Sequence, residues 1–305
     1  MGSISCVLPI LFLVVSLSIS STDGWGKLGH FMVCKITEKY LSENATRAVV
    51  DLLPPVAGGE LAAVCSWADE VRFRYRWSSP LHYANTPGVC DFTVKRDCHN
   101  AKRTQNMCVV GAINNYTAQL RTYGKSSSGY NLTESLMFLA HFMGDIHQPL
   151  HVGFLDDEGG NTILVRWYRR KTNLHHVWDV SMIETAMKDF YNTDENIMIE
   201  SIERNITGNW ADDIVDWETC NRKTVTCAPS TYASESIDLS CKYAYKDVEQ
   251  NSTLTGICSR KKYLLFSIDI SIYKRIAQAG LRLATLLNSI FDPSFNSINP
   301  GLQIA

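Results

Sequence analysis

Five histidines and three aspartates set the chemistry open to this chain: His30, His82, His141, His151 and His175, with Asp69, Asp145 and Asp179. His141 and Asp145 stand four residues apart, as do His175 and Asp179. On a helix that spacing puts both side chains on one face, where they can share an ion. One such pair is weak evidence, because an Asp often only orients a neighbouring His. Two pairs, with His30, His82, His151 and Asp69 alongside, favour a metal cluster. Imidazole and carboxylate without thiolate suit Zn²⁺, ahead of Mn²⁺ or Fe²⁺. Trp25 adds a less usual donor. A cut before it frees an α-amine, which with its own carbonyl and His30 can reach one ion. An amine pKa of about 7.7–8.0 lets the metal displace the proton.

Such a cut is expected from what precedes it. Residues 1–24 read as a signal peptide. Val7 to Ile19 is apolar but shorter than the ~20 residues that span a bilayer, and Ser20 to Gly24 supplies small residues for cleavage. The remainder, 25–305, is long enough for one large core, and no Gly/Ser/Pro linker divides it. No later stretch is apolar enough to be transmembrane.

A net charge of −2 argues against a protein that packages nucleic acid by coating phosphates with Lys and Arg. It leaves room for a polyanion met briefly as substrate. Ten cysteines include Cys6 in the leader; Cys34, Cys65, Cys90, Cys98, Cys108, Cys220, Cys227, Cys241 and Cys258 remain. In a secreted chain these read as up to four disulfides with one thiol left over, and no Cys-x-x-Cys pair favours thiolate zinc. Sequons at Asn44, Asn115, Asn131, Asn205 and Asn251 are candidate glycosylation sites and agree with the secretory pathway.

Helices must do most of the positioning. Apolar residues recur at helical spacing over Phe31–Leu41, Glu60–Arg74, Met107–Tyr123, Leu132–Gln148, Leu174–Phe190, Glu195–Asn205 and Ile270–Phe291. Asn131 or Thr133 caps the fourth, Pro149 follows it, and His151 falls on the bend. The β-branched, alternating run Asn161–Tyr168 predicts a small hairpin strand. Pro80 to His99 is turn-rich and irregular, pinned by Cys90 and Cys98. The expectation is a mainly α, disulfide-bonded single domain. His147 and His176 are expected to support or pack beside ligands, and His99 to face solvent. Arg169-Arg170-Lys171 reads as a solvated loop tip, with attraction of a polyanion the lesser alternative.

The chemistry-bearing residues lie in longer motifs: Trp25…His30, Trp67-Ala-Asp69, Leu81-His82-Tyr83, His141-Phe-Met-Gly-Asp145-Ile-His-Gln-Pro-Leu-His151, Gly159-Gly-Asn161 and His175-His-Val-Trp-Asp179. Together they resemble the single-strand-preferring trinuclear zinc nucleases of fungi and plants, especially the plant class I or bifunctional nucleases. The resemblance runs from Trp25 to about Ala244 and resumes at Lys274-Arg-Ile-Ala. It implies the helical zinc phospholipase C/nuclease fold. By position, Asp69, His82, His141 and Asp145 would hold a first ion. Trp25, His30 and the shared Asp145 would hold a second, and His151, His175 and Asp179 a third, more open one. A zinc-bridged hydroxide would attack phosphorus in line. The products from single-stranded DNA and RNA would carry 5′-phosphates, and many family members also remove the 3′-phosphate of nucleotides.

The resemblance gives Asp69 and Arg72 the catalytic roles, with Arg72 clamping the phosphate. Otherwise Arg72 only salt-bridges Asp69 three residues back. Tyr83 is placed to stack a base, a sequence-tolerant contact worth roughly 1–3 kcal/mol; otherwise it packs in the core. Asn85 replaces the family's more usual Asp and can donate as well as accept at a base edge. Asn161 would contact phosphate or merely shape its turn. The segment 255–273, with Cys258, is an atypical insertion. Two other readings stand beside the nuclease: a phosphodiesterase of phospholipase C type, and a catalytically silent zinc-binding glycoprotein. The first lacks a membrane-binding stretch, and the second is disfavoured by the complete ligand set. The overall expectation is a secreted monomer in an extracellular, vacuolar or endoplasmic-reticulum-derived compartment. Its substrates would be single-stranded DNA, RNA and 3′-nucleotides, with no stable nucleic-acid complex and no membrane attachment.

Overall fold

Helices dominate the computed structural model, which describes residues 25–126, 129–219, 227–246 and 269–298. In chain order they are α1 (Lys27–Tyr40), α2 (Glu43–Leu52), α3 (Trp67–Val71), α4 (Val94–Asp97), α5 (Val109–Leu120) and α6 (Leu132–Asp145). Then follow α7 (Leu174–His176), α8 (Met182–Phe190), α9 (Glu195–Thr207), α10 (Ile214–Thr219), α11 (Pro229–Leu239), α12 (Asp269–Phe291) and α13 (Pro293–Ile298). Strands β1 (Leu164–Trp167) and β2 (Arg170–Asn173) form an antiparallel hairpin between α6 and α7.

α6 is the centre of the fold. Asn131 caps it, its side chain accepting from Glu134 N–H, and every residue from Ser135 to Asp145 is buried. A helix apolar on all sides belongs in the core. The two ionisable residues on that buried run are His141 and Asp145, which is costly unless something pairs with them. One apolar cluster gathers α2, α5, α6 and the end of α12. A second joins α1, α8 and α9 to the start of α12.

Helix ends leave carbonyls without partners, and α11, the turn that follows it and α12 supply them just beyond α6. Ser236 Oγ donates to Ile146 O (2.5 Å), Arg275 Nε to His147 O (3.0 Å) and Ser240 Oγ to Pro149 O (2.5 Å). These bonds fix the bend that leads to His151. Behind them His147 is fully buried, its Nδ1 donating to Met143 O and its Nε2 accepting from Arg282. It is a packing histidine, as expected.

Several segments differ from the periodicity. Glu60–Arg74 is not one helix but a 3₁₀ turn, Leu61–Val64, followed by α3. The break has a use. Asp69 N–H goes to Ser66 O, which leaves the Cys65 carbonyl for the ring of His141. The helix predicted to Gln148 stops at Asp145, and Pro149–Val152 forms a 3₁₀ turn. Leu174–Phe190 is helical throughout but contains a π turn at Val177–Ser181. The strand within Asn161–Tyr168 is shorter, Leu164–Trp167. His176 is exposed rather than packed, and His99 is half-buried, its Nε2 accepting from Arg103. The irregular Pro80–His99 region includes α4.

Disulfides join Cys34 to Cys65, Cys90 to Cys241 and Cys98 to Cys108, and Cys227 is also disulfide-bonded. Such bonds suit a protein matured in an oxidising compartment. Among the described residues no helix is long and apolar enough to cross a membrane. The leader, Cys220, Asn251, Cys258 and most of the 255–273 insertion lie outside the described residues.

Candidate metal centre and cleft

Four elements converge on the Asp145 carboxylate. α1 brings His30, the 3₁₀ turn Arg76–His82 brings His82, α6 brings His141, and the turn Pro149–Val152 brings His151. Asp145 Oδ2 lies 3.0 Å from His82 Nδ1 and 3.2 Å from His141 Nε2. Its Oδ1 lies 3.3 Å from His30 Nε2 and 3.5 Å from His151 Nδ1. Asp69, on α3, stands 3.5 Å from His82 Nδ1 and 3.6 Å from His141 Nε2. The Cys34–Cys65 disulfide ties the helix of His30 to the segment that leads into Asp69. Beyond His151, His175 Nε2 lies 3.2 Å from Asp179 Oδ2. Both i, i+4 pairs therefore share a face, the second across the π turn.

Backbone carbonyls set the tautomers. His141 Nδ1–H donates to Cys65 O (2.9 Å), His151 Nδ1–H to His82 O (2.7 Å) and His175 Nδ1–H to Gly159 O (2.7 Å). A carbonyl only accepts, so Nδ1 carries the proton and a neutral ring turns its Nε2 lone pair inward. Nε2 of His82, His151 and His175, both ring nitrogens of His30, and Oδ1 of Asp69 and Asp145 are buried without a hydrogen-bond partner. Buried lone pairs are thus left unsatisfied, which is costly unless a cation meets them.

The donor atoms fall into three groups, each with its atoms within 4.8 Å of one another: His30, Asp69 and His141; His82, His141 and Asp145; His151, His175 and Asp179. Imidazole nitrogen with carboxylate oxygen is a zinc donor set. The residues fit that ion.

The electrostatics agree for two of the rings. Burial, aided by the stacked His141 ring 3.8 Å away, lowers His30 to about 4. Burial, aided by His151, lowers His175 to about 3. Both rings are therefore neutral donors at neutral pH. Burial pushes Asp69 and Asp145 upward, but His141, which the two carboxylates raise well above the usual imidazole range despite its own burial, is their positive partner and holds both carboxyls below the usual range.

Two glycines give this packing its space. A Cβ on Gly144 would sit 2.7 Å from His30 Nδ1. Gly159, at φ +65, places its carbonyl on His175, and a Cβ there would meet Leu150 O at 2.5 Å. Trp25 is fully buried beside Gly144, and the next residue, Gly26, donates its N–H to Asp179 O at 2.9 Å. The start of the described chain is thus held against the third group.

Outside the cluster a cleft of about 490 Å³ is lined by Arg72, Phe73, Ser79, Tyr83, Asn85, Leu150, His151, Leu155, Glu158, Asn161 and His175. Arg72 Nη1 lies 3.8 Å from Asp69 Oδ1. Tyr83 is 38% exposed and so lies at the surface of the cleft, outside the core. Asn161 lines the cleft too, but its amide donates to Glu158 O (2.8 Å) and closes the Gly-Gly-Asn turn. The candidate ligand and substrate side chains singled out in the sequence come together here, with Trp25 packed beside them. Among the residues that sequence reasoning missed are Phe73, 65% exposed next to Arg72, and Gln148, buried inside the His-Gln-Pro-Leu-His run and bonded to Asp179.

Comparison with known proteins decides the family. The S1/P1 nuclease family profile matches residues 25–292. The chain belongs to the S1/P1 nuclease family. It is 52% identical to Endonuclease 4 of Arabidopsis thaliana over 92% of this chain and 93% of that protein. Endonuclease 2 of the same plant is 49% identical over 93% of this chain and 97% of its own length. Nuclease P1 of Penicillium citrinum is 31% identical over 87% of this chain and 97% of its own. As an S1/P1 nuclease the chain is a hydrolase acting on nucleic acid, and the phospholipase and silent-glycoprotein readings give way.

Proposed function

We propose that the chain is a secreted, zinc-dependent endonuclease that cuts single-stranded DNA and RNA to 5′-phosphate products and removes the 3′-phosphate of nucleotides. The observation that carries this reading is the buried cluster of imidazole nitrogens and carboxylate oxygens around Asp145, several of them without a hydrogen-bond partner, which reaches the cleft through His151 and His175. In this reading Asp69, His82, His141 and Asp145 hold one ion. Trp25, through its amine and carbonyl, His30 and Asp145 hold a second, and His151, His175 and Asp179 a third. Zinc, when bound, supplies Lewis acidity that lowers the pKa of water and neutralises phosphoryl charge.

The chain's own residues do the rest. Arg72 grips a phosphate oxygen at the cleft wall, its planar fork suited to the two-point grasp that a lysine cannot make. Asp69 holds both the donor cluster and the Arg72 guanidinium in register. Tyr83 offers a ring to a base, and a base can lie on it only when free of its own helix, which favours single strands. Asn85 and Asn161 contact the base edge and the phosphate from the same cleft. Removal of residues 1–24 frees the Trp25 amine. The disulfides, with exposed Asn115 and Asn131 as glycan acceptors beside Asn44, Asn205 and Asn251, suit passage to an extracellular, vacuolar or endoplasmic-reticulum-derived compartment.

The test is Asp145→Ala, assayed for zinc content and for cleavage of single-stranded DNA and RNA. Loss of both is expected, because four histidines meet at that carboxylate. Full cleavage by the variant contradicts the reading.

A further inference from the structure

Tyr245 is 1% exposed, and its hydroxyl reaches into the loop 153–160, between the His151 turn and the Gly-Gly-Asn turn. A buried hydroxyl is costly unless it is hydrogen-bonded. This one donates to Asp157 Oδ1 at 2.9 Å and accepts from Phe154 N–H at 2.9 Å. Asp157 Oδ1 also accepts from Gly160 N–H at 2.7 Å, so a single hydroxyl fastens both ends of the loop. Burial, with Asp157 beside it, raises the phenol and keeps the proton on it. The Tyr245 ring stacks on Phe154, their centroids 4.3 Å and their planes 6° apart. A Cβ on Gly153 would stand 2.8 Å from the hydroxyl, so glycine is what the contact admits there.

The loop holds two parts of the site. Gly159 O accepts from His175 Nδ1–H at 2.7 Å, which turns His175 Nε2 toward Asp179. Glu158, at φ +54, and Asn161 stand in the cleft wall beside it. At the other end the loop clasps Thr86, whose N–H donates to Gly153 O and whose carbonyl accepts from Leu155 N–H, each at 2.9 Å. Thr86 closes the short run that carries Tyr83 and Asn85. Tyr245 is itself held from a distance. It follows the π turn Ser240–Ala244, in which Cys241 is disulfide-bonded to Cys90 and Ser240 Oγ donates to Pro149 O. It is not among the walls of the cleft.

We propose that Tyr245 is a positioning residue. Through Asp157 and Phe154 its hydroxyl sets the loop that aims His175 and seats Tyr83 and Asn85, which keeps the third metal group and the base-binding wall at one fixed offset. This rests on the three-group reading given above.

The test compares wild type with Y245F, D157N, D157L and Y245F/D157L. Zinc titration, melting temperature, and kcat and KM on a single-stranded oligonucleotide are measured for each. Y245F keeps the ring stack and loses only the two bonds. One of its three ions should bind about 10-fold more weakly, the low end for a ligand-orienting group because the hydroxyl acts through Gly159. The other two ions should bind as in wild type, KM should rise, and excess zinc should restore kcat. D157N keeps Oδ1 as the acceptor of both bonds and should match wild type, whereas D157L should behave as Y245F does. The double variant should lose no more than the worse single one, since both act through one network. Wild-type affinity for all three ions in Y245F overturns the proposal. So does an equal weakening of all three with a lower melting temperature, the mark of a purely structural role. D157N as impaired as D157L also overturns it, because charge and not bonding would then matter. If Y245F does not fold, the half-buried Asp157 decides through D157N and D157L. A wild type that binds fewer than three ions contradicts the three-group reading instead. The KM of Y245F then decides the part of Tyr245, and an unchanged KM overturns it.

Discussion

The side-chain amide of Gln148 donates to Asp179 Oδ1, while its Oε1 accepts from Leu150 N–H at 2.5 Å. Gln148 is fully buried, so its orientation is fixed by these two bonds. It holds one Asp179 oxygen in place and leaves Oδ2 facing His175. Groups that orient ligands in this way commonly govern metal affinity by about 10–100-fold. Gln148→Leu is therefore expected to weaken zinc binding at the His151, His175 and Asp179 group while the Asp145 groups stay loaded. Metal titration of the variant checks this, and an unchanged affinity at every site counts against it.

Residues left ahead of Trp25 should impair loading. Gly26 is already anchored to Asp179 O, so an extension keeps the backbone in place but removes the free amine. A protein starting Gly-Ser-Trp25 should bind less zinc than one starting at Trp25. Equal metal content in both would remove Trp25 from the ligand set.

Tyr83→Ala should raise KM for single strands and leave kcat nearly unchanged, because stacking on a base remote from the reacting atoms is uniform binding. The expected loss is about 1–3 kcal/mol, or roughly 5- to 150-fold in KM. Steady-state kinetics on oligonucleotides measure it, and a KM equal to wild type would return Tyr83 to a packing role.

The histidine pairs were readable because a helix converts a spacing of four into a shared face, and His141/Asp145 and His175/Asp179 obey that rule. The turn at Pro149 was readable for a similar local reason. What was not readable depended on long-range partners. Cys65 leaves the helix pattern because its carbonyl is taken by His141, 76 residues away. Local sequence does not distinguish His147 from His176, yet Arg282 buries one against α12 while the other stays exposed. Gln148 sits between the candidate ligands Asp145 and His151 as any polar residue might, and only the fold brings Asp179 to it.

Behind the centre, Glu235 receives Arg275 Nη1 at 2.8 Å and Arg282 Nη1 at 2.6 Å. Burial pushes its carboxyl upward, but Arg282 and Arg275 outweigh this and hold it below the ordinary range. The folded pKa lies below the unfolded one, so the stabilisation is present above the unfolded value and is lost as pH falls through the folded value. Glu235→Gln should cost about 3 kcal/mol at neutral pH, the low end for an opened buried pair because part of this side chain meets solvent. Its acid unfolding should also depend less on pH. Denaturant titrations from neutral pH down into the acid range measure both, and a parallel pH dependence in the two proteins would contradict the assignment.

In the proposed centre, three groups of imidazole and carboxylate ligands hold the zinc on which cleavage depends. Metal analysis of protein processed to Trp25, with cleavage of single-stranded DNA and RNA assayed before and after chelation, tests it most directly. The expected result is one zinc ion for each of the three groups, activity abolished by the chelator, and activity restored by Zn²⁺. Cleavage that survives complete removal of metal, or full activity with zinc in only one group, would contradict it.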